Sequence, residues 1–176
     1  MTASQVVGGW IELNPMEIGK KYTIPFSYNT KIEGYPDLFL PGGMPNDGDT
    51  LVFNYEEKDE SLPTRPAPDN HDFGYKYKCD AWGNYHGQDM WDELYRDICY
   101  ASTNKWRRRM GGIRYWGLNK LGLGTLAWKY QYKSPASIPL KYRHYYGSSD
   151  LAISERSKAP VLTIEDGRLV MLPGEE

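Results

Sequence analysis

Apolar residues alternate with polar or small ones at three places along the chain. Tyr22, Ile24, Phe26 and Tyr28 follow at period two, as do Phe73, Tyr75, Tyr77, Cys79 and Ala81, and later Leu126, Trp128, Tyr130 and Tyr132. Period two turns one face of each segment inward, so the pattern predicts half-buried strands. Residues 51–55 follow the turn-rich run 41–48 and read as a further strand. Near the end, residues 161–165 and 168–172 flank Asp166-Gly167, a pair that tolerates the positive φ angles of a tight hairpin.

Helical spacing occurs at one place. Met90, Trp91, Leu94, Tyr95 and Ile98 form one apolar stripe, with Asp89, Asp92 and Glu93 at its start and Lys105, Arg107, Arg108 and Arg109 further on. Acidic residues first and basic residues last suit the helix macrodipole, so the spacing predicts one long amphipathic helix over about 88–109, closed by Gly111-Gly112. Gly117, Gly122 and Gly124 make the next stretch read as irregular. The charged run 56–60 leads into Pro63, Pro66 and Pro68, and 56–72 is expected as a mobile surface excursion. Strands grouped around one helix, without regular alternation, predict a single α+β domain over 1–176 with a mainly antiparallel sheet.

Composition sharpens this picture through charge. The 176 residues carry a formal net charge of −2, but residues 1–103 hold 8 Lys and Arg against 17 Asp and Glu, while residues 104–146 hold 10 against none. A long window without a carboxylate in an otherwise acidic chain points to an anionic partner, or to an acidic face of another copy. The basic positions are Lys105, Arg107, Arg108, Arg109, Arg114, Lys120, Lys129, Lys133, Lys141 and Arg143, interleaved with Trp106, Tyr115 and Trp116. Cations neutralise phosphates while aromatic faces stack on bases or sit at a headgroup boundary. The plainer alternative is a solvated face neutralised within the molecule. Three consecutive helical arginines point about 100° apart, so at least one of Arg107, Arg108 and Arg109 is expected to serve the fold.

No apolar run reaches the length of a membrane span, and residues 1–9 lack a signal-peptide pattern, so the chain reads as a soluble protein of the cytosol. Cys79 and Cys99 are expected reduced and buried. His71 and His86 have acidic neighbours, but no metal-ligand spacing, phosphate loop, dinucleotide loop or nucleophile elbow occurs. The expectation is a non-enzyme without metal or cofactor.

One segment resembles a known family. An aromatic alternating strand over 73–82, a Trp-containing helix over 89–100, and then Met110-Gly111-Gly112-Ile113-Arg114-Tyr115-Trp116-Gly117-Leu118 ahead of further strands resemble, in that order, the central part of rhabdovirus matrix proteins. The resemblance covers about a third of the chain. It implies a virion protein of the host cytoplasm that self-associates, condenses RNA as nucleocapsid, and links it to the envelope membrane or a glycoprotein tail, without catalysis. Animal-virus members carry a lysine-rich N-terminal tail and a Pro-Pro-x-Tyr motif. Here only Lys20 and Lys21 precede Thr23, and no such motif occurs between Pro63 and Pro68, which fits a plant-infecting member with its contacts shifted to the basic window. The second reading is a nucleic-acid-binding viral regulator, such as a suppressor of host defence, or another virion accessory protein.

Overall fold

The computed structural model describes residues 22–46, 55–130 and 134–176. Among the described residues, two small sheets and six helices make an α+β fold in which strand pairing is mostly antiparallel. The strand expected across 22–28 is broken by Pro25, which cannot donate to a ladder. Its first part, β1 (Tyr22–Thr23), pairs with β4 (Pro45–Asn46). The second, β2 (Tyr28–Thr30), sits inside a four-stranded sheet of order β3-β2-β5-β6, with β3 at Leu38–Leu40, β5 at Val161–Glu165 and β6 at Arg168–Leu172. Within that sheet β2 meets β3 antiparallel and β5 in parallel, which joins the two ends of the described chain. The hairpin β5-β6 forms as its sequence dictates, with Asp166 at φ 50° and Gly167 at φ 73°. The expected strand 51–55 lies almost wholly outside the described residues.

Two of the period-two segments begin in helices, with Tyr132 outside the described residues. Residues 73–77 belong to α1 (Pro66–Tyr77), which opens on Pro66, where a missing N–H costs nothing, and closes on Lys78 in the left-handed conformation. Its buried residues include Pro66, Ala67, Asn70, Phe73, Gly74, Tyr75 and Tyr77. A helix buried on several sides shows no single apolar stripe, so the alternation of Phe73, Tyr75 and Tyr77 mimics a strand. The same finding corrects the surface excursion: its second half is the buried start of α1. Leu126 and Trp128 likewise belong to α4 (Leu123–Tyr130).

The long helix is two helices. Its stripe of Trp91, Leu94, Tyr95 and Ile98 is buried in α2 (Gln88–Tyr100) as expected, but the chain turns at 101–104 and restarts as α3 (Lys105–Lys120), with the Asn104 side chain accepting the Trp106 amide at 3.0 Å. Gly111 and Gly112 stand inside α3. A Cβ on Gly111 would lie 2.4 Å from Cys99 Cβ, so this glycine lets α3 approach α2 instead of ending the helix. Gly74 does the same between α1 and α2, where a Cβ would fall 2.0 Å from Trp91 Cδ2. The core runs from Tyr28, Leu38 and Leu40 of the sheet through Phe73, Trp91, Leu94 and Ile98 to Leu162. Cys79 and Cys99 lie in it without a disulfide between them, and burial pushes the Cys79 thiol up to about 12. The short helices α5 (Leu140–Arg143) and α6 (Asp150–Ser157) complete the fold before β5.

Candidate anionic-partner interface

The helical path of α3 sorts the basic window by direction. At about 100° per residue, Lys105, Trp106, Arg109, Ile113, Trp116 and Lys120 fall within one arc of roughly 100°, and Arg107, Gly111 and Leu118 fall opposite. Exposure follows that geometry: Ile113 is 62% and Trp116 55% exposed, whereas Arg107 is 1% exposed. The outward stripe therefore alternates cations with large apolar groups. Arg109 stands over the Trp106 ring at 5.5 Å and Lys105 approaches it at 5.9 Å, so the first turn presents two cations on one indole.

Lys105, Arg107, Arg108 and Arg109 oppose the macrodipole at the start of α3, the reverse of the arrangement expected from a single helix ending there. Arg107 is matched internally. Its guanidinium donates to the Tyr55 carbonyl, and its Nε lies 3.9 Å from Glu57 Oε1. Arg108 donates to the Ser102 carbonyl at 2.6 Å. Glu57 in turn accepts the Ser102 hydroxyl at 2.6 Å, the Thr103 amide at 2.8 Å and the Thr103 hydroxyl at 2.6 Å, so one buried carboxylate ties the 55–58 segment to the α2-α3 turn. Arg107 is thus a fold residue, which corrects its place among the partner-binding cations and identifies it as the arginine of the triplet that serves the fold.

Other members of the window separate from the stripe. Arg114 is half-buried over Tyr95 at 5.1 Å, and Tyr115 is covered by Arg96 at 4.7 Å. Arg143 donates to the carbonyls of Ile138 and Ala136 within its own turn, and Lys141 lies over Tyr142, whose hydroxyl reaches Gly42 O at 3.2 Å. Lys133 lies outside the described residues. Lys129 is exposed on α4. Thus Lys105, Arg109, Lys120, Trp106 and Trp116 share one face, with Arg108 at its edge, and no carboxylate occurs in α3 or α4.

Helix α4, which follows α3 after Gly122 and packs on it, exposes apolar groups of its own. Gly124 approaches Tyr75 and Gln88 closely enough that a Cβ would meet both at 2.7 Å, and one turn on Trp128 contacts Tyr75 edge-on at 5.1 Å with the Lys78 ammonium 3.6 Å from its ring. Those two positions hold α4 to the body. Leu121, Leu123 and Leu126 point away, each about half exposed or more. The signal was present as i, i+3 and i, i+4 spacing through 106, 109, 113, 116 and 120, and was hidden by reading Gly111-Gly112 as a stop.

His71 and His86 belong to structural networks. His71 Nε2 meets Asp92 Oδ1 at 2.9 Å, and Asp92 also accepts Tyr75 OH at 2.6 Å and Gln88 Nε2 at 3.2 Å, which knits α1 to α2. Burial and the Asp92 charge raise the Tyr75 hydroxyl well above its ordinary range. His86 meets Asp80, whose carboxylate also accepts the amides of Trp82 and Asn84 in a tight turn. Among the described residues no group of three or more His, Cys, Asp or Glu side chains could hold a metal ion, and no helix is long and apolar enough to cross a membrane. No protein-family model, curated protein or solved structure matches this chain.

Proposed function

We propose that this chain is a non-enzymatic, self-associating structural protein of matrix type that docks on an anionic membrane surface through the outer face of α3 and α4. The observation that carries the reading is the composition of that face. Lys105, Arg109, Lys120 and Lys129 supply positive charge without a carboxylate, while Ile113, Trp116, Leu121, Leu123 and Leu126 expose apolar surface beside them. Lipid headgroups and the first acyl carbons match both halves of that composition. RNA matches the cations and indoles but leaves the leucines without a partner. The resemblance of 73–82, 89–100 and 110–118 to rhabdovirus matrix proteins, of which 73–77 is helical here where the resemblance called for a strand, points to the same reading and its setting in a virion and the host cytoplasm, with nucleocapsid and further copies as the other partners. Flotation with phosphatidylserine/phosphatidylcholine vesicles and with phosphatidylcholine alone tests it. Binding is expected only with the anionic lipid. Tight RNA binding in a filter assay without flotation would instead establish the nucleic-acid-binding regulator.

A further inference from the structure

The acidic segment 56–60 carries four carboxylates and one lysine, and it is fastened against the beginning of the basic helix. The Lys58 amide donates to Thr103 Oγ1 at 2.7 Å, and Asn104 Nδ2 donates to the Glu56 carbonyl at 3.0 Å. Glu57 is consumed in the fold by Ser102, Thr103 and Arg107, and Glu56 pairs with Arg65. Asp59 and Glu60 are exposed and answer no cation in any described ion pair. The hydroxyl and amide of Ser61 hold the Asp59 carboxyl below its ordinary range, so it keeps its charge in mildly acidic solution.

Thr103 precedes Lys105 by two residues and meets the Lys58 amide, so chain steps of about 3.8 Å bound Asp59 and Glu60 to within about 20 Å of the first turn of α3, inside the Debye length of roughly 30 Å that holds at about 0.01 M ionic strength. Negative charge fixed there competes with any polyanion for Lys105, Arg108 and Arg109. We propose that residues 56–60 form an autoinhibitory strap, built onto the α2-α3 turn, that lowers the affinity of the α3 N-terminal cations for an anionic partner. The inference rests on the functional reading above and adds its regulation. The contact is electrostatic, so it weakens attraction most at low salt and vanishes as screening grows. A surface dense in negative charge overcomes it, whereas a sparse one does not, which gives the face a threshold in surface charge.

The test compares the parent with D59N/E60Q, and with E33Q/E165Q as an equal charge change on other elements, in flotation with phosphatidylserine/phosphatidylcholine vesicles across a salt series. The strap predicts that D59N/E60Q binds about three-fold tighter than the parent at low salt, that the difference closes at high salt, and that E33Q/E165Q follows the parent. Flotation of D59N/E60Q where the parent stays behind also supports it. If D59N/E60Q follows a parent that binds, or if E33Q/E165Q gains as much, the strap is overturned while the docking face stands. If neither the parent nor any variant floats, the docking reading falls and the strap with it.

Discussion

Arg107 and Glu57 meet in the interior, with Nε 3.9 Å from Oε1 and side chains 1% and 0% exposed, although one begins α3 and the other lies in the 55–64 loop. This pair divides the arginine triplet. Removing one partner of a buried ion pair leaves an uncompensated charge, a loss of about 3–5 kcal/mol. R107A is expected to lose that much in denaturant unfolding, yet wherever it is folded it binds anionic vesicles as the parent does. Weaker binding by folded R107A would return Arg107 to the interface.

Two glycines give opposite expectations. Gly74→Ala forces a methyl into the Trp91 ring, so overpacking is expected to cost about 1–3 kcal/mol or more. Gly117→Ala meets nothing within 4 Å inside α3 and is expected to stabilise by about 0.5–1 kcal/mol through helix propensity. Thermal melting of both variants checks the helix crossing and the continuity of α3 together.

Asp69 makes stability depend on pH. It is buried between Tyr28, whose hydroxyl lies at 3.3 Å, and Asn46, whose amide donates at 2.8 Å, and burial together with the nearby Asp72 charge raises its carboxyl to about 8. The unfolded chain releases this proton near pH 3.9, so the folded state binds it more tightly. The resulting stability is complete below about pH 4 and is lost as pH rises through about 8. D69N keeps a neutral side chain at every pH, so urea unfolding from pH 5 to 9 is expected to fall with pH in the parent and much less in the variant. Parallel curves would contradict the assignment.

If the chain self-associates as proposed, the exposed apolar groups on α3 and α4, with Leu140 and Leu151 at 78% and 64% exposed, are the surface expected to carry it. The acidic half contributes less than its formal charge suggests, because Asp69, Asp80, Asp92 and the Glu57 side chain are buried and satisfied internally. Sedimentation velocity is expected to show larger species as protein concentration rises, with only partial dissociation at high salt. A monomer at all concentrations would exclude the assembly reading.

What the sequence disclosed was decided by how local the determinants are. The β5-β6 hairpin was legible because Asp166-Gly167 fixes its own turn, and the stripe of α2 because one face alone is buried. Helix α1 was not legible, since Phe73, Tyr75 and Tyr77 are buried in a helix enclosed on several sides, and no helical periodicity survives that. Gly111 misled for a related reason: its purpose is contact with Cys99 of another helix, which leaves no mark in neighbouring residues. The strand β3 at Leu38–Leu40, buried throughout, carries no alternation to find. For the candidate face, the cations were visible as a window, but their sorting into outward and inward sets required the helix.

The central claim is that the outer face of α3 meets an anionic membrane surface. The most direct measurement is flotation of K105E/R109E/K120E, three exposed positions on one arc, beside the parent on phosphatidylserine/phosphatidylcholine vesicles, with circular dichroism confirming the fold. Each cation near such a surface contributes about 1 kcal/mol, roughly five-fold in affinity. The account predicts that the folded triple variant no longer floats while the parent does. A folded triple variant that floats as the parent does, at the same salt, would contradict it.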